Sequence, residues 1–340
     1  MPGVRLNFNK DSVGMSFGVP GARYTINSKG RRTVSTGIPG TGLYNVETLS
    51  SGRSSATKAQ SAGSSQTGIT PYSPPLSMQP GLFAKKAERE LYKFLLDIFK
   101  HDEADSPDEV IEKATNLQAI YSANVHSLSL IKFLYCVKGS SLDDAIGYEW
   151  AMELWQNRKS VFSDKYVQKY FQGIAPQVQI TNGISTTSIY NEQTLGHIIV
   201  ELLQQMGKIE EALAILDEMQ PDQLVGISIA DLEITAKDYD GAIETTEDIE
   251  NEDDATAMML ILRGVAFREK GLKDGALECF KRALSSKKRS APLRHRALFE
   301  RAETYSQVGK KALAIKDLEK ILVEDSDYPA VQEKLASLKV

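Results

Sequence analysis

Two hydrophobic periods divide the chain. Over residues 3–47 apolar and polar positions alternate with the strand period of two, whereas from Leu82 onward apolar residues recur with the helical period. In the first stretch Val4, Leu6 and Phe8 alternate with Arg5, Asn7 and Asn9, and Val13, Met15, Phe17 and Val19 with Ser12, Gly14, Ser16 and Gly18. Ala22, Tyr24 and Ile26, then Val34, Thr36 and Ile38, continue the pattern, with turn signals at 9–11, Pro20-Gly21, 27–30 and Pro39-Gly40. The stretch also repeats itself: Gly3-Val4-Arg5 is answered by Gly21-Ala22-Arg23, and Gly18-Val19-Pro20-Gly21 by Gly37-Ile38-Pro39-Gly40. This pattern predicts hairpin units closed by V/I-P-G turns and stacked into one small sheet with an apolar face. Such a sheet has a marginal core and two open edges, so it is expected to lean on another surface or to self-associate.

Residues 49–81 are dominated by Ser, Gly, Thr, Ala and Pro and read as a flexible linker, with Pro71-Tyr72-Ser73-Pro74-Pro75 as a peptide another protein could recognise. Beyond it Leu82, Phe83, Leu91, Phe94, Leu95, Ile98 and Phe99 outline a first amphipathic helix, and Ser106-Pro107-Asp108-Glu109 is a helix start. Further helices are expected near 108–121, 124–138, 142–158 and 161–172. The β-branched run at 177–191, centred on Asn182-Gly183, breaks the helical rhythm and predicts a short hairpin or extended loop.

A second repeat begins near residue 193. Leu260, Gly264, Phe267, Gly271, Ala276, Phe280 and Ala283 are matched 38 residues later by Leu298, Ala302, Tyr305, Gly309, Ala314, Leu318 and Ile321, followed by Asp327-Tyr328-Pro329. Weaker copies hold Gly207, Ala212, Leu216 and Met219, then Lys237, Ala242, Thr246 and Ile249, so the shared Ala falls at 212, 242, 276 and 314. This array resembles the tetratricopeptide repeat, in which small residues sit where two antiparallel helices cross. The N-terminal stretch resembles the bacterial domain of unknown function 4236 family, through Pro2-Gly3-Val4-Arg5-Leu6-Asn7, Gly21-Ala22-Arg23 and Thr36-Gly37-Ile38-Pro39-Gly40-Thr41-Gly42-Leu43. That family implies no activity.

The expected fold class is therefore α+β and multidomain. A small N-terminal β-meander of hairpin repeats (1–48) is followed by the linker (49–81). A helical bundle or degenerate repeats (82–192, with the hairpin at 177–191) then leads into a mainly α-helical, tetratricopeptide-like solenoid (193–340). The resemblance implies a concave groove lined by the first helix of each pair, holding a partner peptide or helix. Its candidate residues are His197, Glu201, Ile227, Asp231, Met258, Ile261, Val265, Arg268, Arg296, Phe299 and Glu303. Ile261, Val265, Phe299 and Glu303 do not match the Lys and Asn of members that clamp a terminal carboxylate, so an apolar or mixed segment fits better.

Composition adds a charge asymmetry. The net charge is −5, yet residues 1–60 carry Arg5, Lys10, Arg23, Lys29, Arg31, Arg32, Arg53 and Lys58 against only Asp11 and Glu47. A basic head beside an acidic body marks Arg23, Lys29, Arg31 and Arg32 as candidate contacts for an anion. This makes nucleic acid or an anionic membrane surface the alternative partner, against a protein partner and self-association through β edges. No stretch reads as a signal peptide or a membrane span, and Cys136 and Cys279 read as buried thiols, which leads to a cytoplasmic expectation. His101, His126, His197 and His295 fall in separate segments without metal-ligand spacing, and no nucleophile motif or phosphate loop occurs in a fitting context. The sequence nominates no catalytic residue, metal or cofactor, and the expectation is a non-enzymatic adaptor.

Overall fold

The computed structural model describes the backbone of residues 4–9, 12–19, 22–27, 32–37 and 44–50, together with residues 78–100, 106–137, 139, 142–328 and 330–339. The linker between 51 and 77, His101, Lys29, Arg31 and the Pro-Gly turns of the head lie outside the described residues. At the N-terminus β1 (Val4–Asn9), β2 (Ser12–Val19), β3 (Ala22–Asn27), β4 (Arg32–Gly37) and β5 (Tyr44–Ser50) pair antiparallel in sequence order. The register sets Val4, Phe17, Tyr24 and Val34 in one row, and Leu6, Met15 and Ile26 in another of the same parity. The alternating apolar positions thus fall into common rows, and an irregularity between Arg32 and Thr33 shifts the pairing with β5.

The rest of the described chain is mostly helical and is shared between two compact units, residues 78–178 and Thr186–Lys208 in one, Gln179–Ser185 and Ile209–Val340 in the other. In the first unit the helices are α1 (Lys86–Lys100), α2 (Pro107–Ile120), α3 (Val125–Val137), α4 (Asp144–Gln156), α5 (Arg158–Ser163), α6 (Lys165–Tyr170) and α7 (Glu192–Gln205). Ser106 and Glu109 form a reciprocal capping box at the start of α2, with Pro107 in its first turn. Leu128, Leu130, Ile131, Phe133 and Leu134 bury α3 on nearly every side, and Leu195, Ile198, Ile199 and Leu203 do the same for α7. These are central helices, which explains why their apolar pattern is broad rather than one-sided. Strands β6 (Gln177–Thr181) and β7 (Ile184–Thr187) form a hairpin, and the Tyr190 amide donates to the Ile174 carbonyl at 2.9 Å across its base.

The second unit contains α8 (Ile209–Asp217), α9 (Gln223–Thr235), α10 (Tyr239–Thr245), α11 (Asp254–Glu269), α12 (Lys273–Ala283), α13 (Ala291–Gln307), α14 (Lys311–Glu324) and α15 (Val331–Lys339). Helix α9 packs on α10, α11 on α12 and α13 on α14, while α11 also packs on α9 and α13. The helical pairs therefore stack side by side. Each first helix ends in a left-handed residue: Lys237 (φ 64°), Gly271 (φ 83°) and Gly309 (φ 76°). The amide after each of them donates back to Glu233, Phe267 and Tyr305, at 2.8 Å in every case. At the α11–α12 crossing Gly264 has no room for a side chain, because a Cβ would lie 2.6 Å from the Phe280 ring.

The wide spacing between Ala276 and Ala314 is absorbed by the segment 284–290. Arg289 donates to the Asn251 carbonyl and side chain, Asn251 to the Arg282 and Ala283 carbonyls, and the Ser290 amide to Asp254. The extra residues are thus tied onto the loop of the preceding repeat rather than distorting its helices.

Candidate functional site

In a stack of this kind the first helices, here α9, α11 and α13, line the concave face. Nine of the eleven candidate groove residues lie on them: Ile227 and Asp231 on α9, Met258, Ile261, Val265 and Arg268 on α11, and Arg296, Phe299 and Glu303 on α13. His197 and Glu201 lie on α7, in the other unit, and His197 is buried there. Ile227, Met258 and Ile261 are completely buried and Val265 and Arg268 nearly so, while Asp231, Arg296, Phe299 and Glu303 are half-buried.

What occupies this face is the hairpin. Gly183 stands at φ 104°, a conformation that favours glycine, and a Cβ on it would lie 3.1 Å from Met258 Cε and 3.7 Å from both the Arg296 Cβ and the Pro292 carbonyl. The Thr181 side chain lies within hydrogen-bonding reach of Asp231. Ile180, Thr181, Ile184 and Ser185 are buried, and Asn182 at the turn is exposed. The tip therefore rests against the first helices of three successive pairs.

The polar groups beneath it are largely matched to one another. Glu300 accepts from Arg268 Nη1 at 2.6 Å and pairs with Arg296 Nε at 2.7 Å, and Arg268 also donates to Glu269 at 2.8 Å. Burial pushes the Asp231 carboxyl above the usual carboxylate range, opposed by the Thr181 hydrogen bond and the Arg296 charge. At the last repeat Tyr328 closes the face. Its ring stands edge-on to His295 at 5.8 Å and 6.0 Å from Phe299, and burial pushes its hydroxyl pKa up to about 12. Glu303 is held by Lys334 of α15 at 2.7 Å.

Sequence reasoning placed these helices but missed Thr181, Gly183, Glu300 and Tyr328 as parts of the face. Asn182-Gly183 signals a turn, yet nothing local says where a hairpin packs. Of the anion candidates only Arg23 and Arg32 are described. Arg23 pairs with Gly18 and Ser35 while Arg32 pairs with Ile26, three residues along β3, so the two stand in rows of opposite parity. The register does not gather them. Among the described residues no cluster of metal-ligating side chains occurs, and no helix is long and apolar enough to cross a membrane. The hollows between α1 and α2 and beside α10 to α12 are lined by neither His nor Cys.

The family described as a protein of unknown function (DUF4236) matches residues 1–46. The tetratricopeptide repeat matches residues 295–327, which is α13 from its second turn through α14 and on to Asp327. Residues 295–327 are thus tetratricopeptide-like by sequence and by helix pairing alike. No curated protein matches the chain. Among solved structures, the N-terminal domain of the EccA1 ATPase from the ESX-1 secretion system of Mycobacterium tuberculosis is similar at 12% identity. That match has a TM-score of 0.54 and covers 69% of this chain and 84% of that one. The APC/C hetero-tetramer Cut9-Hcn1 aligns at 14% identity with a TM-score of 0.42, over 78% of this chain and 44% of that one. At such identity the likeness to the EccA1 domain is one of fold.

Proposed function

We propose that this protein is a non-enzymatic scaffold whose tetratricopeptide-like repeats hold a segment of a partner protein on their concave face. The observation that carries this reading is the seating of an extended chain segment against α9, α11 and α13, through Met258, Arg296 and Asp231. The face is built to take such a segment: apolar side chains floor it, and the charges of Arg268, Arg296 and Glu300 are largely satisfied within it. The basic N-terminal sheet, with two open edges and apolar residues in common rows, serves in this reading as a docking or oligomerisation module. The thiols of Cys136 and Cys279, the latter buried, fit a protein that works in the cytoplasm.

A photo-crosslinking amino acid at Phe299, on the concave face, is compared in the native host with one at Val323, which is exposed on α14. A discrete protein adduct from the Phe299 position that the Val323 position does not give is the expected result. Equal labelling from both positions, or none from Phe299, defeats the scaffold reading.

A further inference from the structure

The repeats already hold a ligand, and it belongs to their own chain. The tip of the β6–β7 hairpin presents to the face an extended backbone, two β-branched apolar residues (Ile180 and Ile184) and one hydroxyl (Thr181). Two of these, the turn backbone and the hydroxyl, have a counterpart on the face. Gly183 supplies the positive φ of the turn, and a Cβ there would crowd Met258 Cε at 3.1 Å. Asp231 is a half-buried carboxylate beside Thr181, so the face offers an acceptor to a donor at that point. Both guanidinium groups on this face pair within it: Arg268 donates to Glu300 and Glu269, and Arg296 is ion-paired with Glu300.

The docked hairpin is also imperfectly satisfied. Thr186 and Thr187, in β7, bury their hydroxyls without a hydrogen-bond partner among the described residues, a cost the folded hairpin carries. A short hairpin whose turn residue Asn182 stays in solvent can exchange with a competitor, provided the competitor overcomes the high local concentration of a tethered segment.

We propose that the concave face of the repeats is a receptor for an extended, β-branched segment carrying a hydroxyl donor, that Gln179–Ser185 is its built-in occupant, and that a partner segment of the same chemistry binds by displacing it. This rests on the scaffold reading above and narrows its ligand from peptide or helix to strand. In the absence of partner the hairpin lowers apparent affinity by the fraction of molecules in which the face is closed.

The test uses the full-length chain and, as probe, a fluorescein-labelled synthetic peptide of its own residues 176–188, read by anisotropy. In one arm Cys136→Ala and Cys279→Ala are combined with Gly183→Cys and Arg296→Cys, because a Cβ at position 183 lies 3.7 Å from that of residue 296. Oxidation then ties the tip to α13 with Thr181 and Asp231 intact, and reductant frees it. Gly183→Val forms the second arm, because a β-branched residue fits neither the positive φ nor the space beside Met258. The expected results are no peptide binding by the oxidised protein, recovery on reduction, and at least tenfold tighter binding by Gly183→Val than by the wild type. Equal binding by oxidised and reduced protein overturns the proposal, as does failure of the disulfide to form, since the two Cβ positions are 3.7 Å apart when the tip is seated. The reversible lock keeps the result independent of how well Gly183→Val folds. If the peptide behaves as expected while Phe299 crosslinks no cellular protein, the receptor site stands and the scaffold reading falls.

Discussion

Asp231 is the residue at which the face and the occupant meet. Burial raises its carboxyl pKa, so the native state binds this proton more tightly than the unfolded chain, whose Asp titrates near 3.9. The stability this group contributes is then present below the unfolded value and is lost as pH rises through the folded one. Asp231→Asn keeps an acceptor for Thr181 and removes the desolvated charge. Its stability relative to the wild type should therefore improve as pH is raised from about 4 to about 7. Denaturant melts at several pH values measure the difference, and a pH-independent difference would show that Asp231 stays well hydrated. Lys237 carries a different strain. It occupies the left-handed position that Gly271 and Gly309 fill in the later pairs, and its side chain is exposed. Lys237→Gly should raise stability by about 0.5–1 kcal/mol, relief of the strain outweighing the added chain entropy. Destabilisation would mean that the Lys237 side chain does packing work its exposure hides.

At the scale of elements, the close crossing of paired helices dictates which residues can change. Gly264 faces the completely buried Phe280 ring, which has nowhere to move. Gly264→Ala and Ala276→Leu should each cost roughly 1–3 kcal/mol by overpacking the same crossing. Thermal melts would show it, and unchanged midpoints would mean the crossing is looser than its geometry. The first-helix positions behave differently from an open groove. Ile261 is completely buried, so Ile261→Glu should cost more than about 3 kcal/mol by burying an unpaired charge. Retention of wild-type stability would place Ile261 at an open surface.

For the whole molecule, composition makes one prediction that needs no side-chain geometry. The run from Ser50 to Pro80 has almost no large apolar residue to bury, so limited proteolysis should cut there before it cuts within 209–328. Mass mapping of the first fragments checks this, and equally early cleavage between α9 and α14 would contradict a stably stacked array. The resulting C-terminal fragment would retain the acidic balance of the chain, since most of the basic excess precedes residue 60.

Local chemistry alone determined a good deal. Ser106 with Glu109, the glycines at 271 and 309, and the small residues at 264, 276, 302 and 314 each obey a rule that acts within one helix or one crossing, so they could be read from spacing. The match of residues 295–327 to the tetratricopeptide repeat rests on the same short-range pattern. Asn182-Gly183 marked a turn for the same reason. The destination of that turn was not legible, because seating Thr181 on Asp231 and Gly183 on Met258 joins residues 50 to 75 apart through no periodic signal. Nor could a concave position in the sequence be told from a covered one. Ile227, Met258 and Ile261 carry the pattern of an apolar binding surface whether a partner or the chain itself lies on them, since burial by either follows from the same hydrophobic effect. Only the tertiary structure decided that the occupant is the chain's own hairpin.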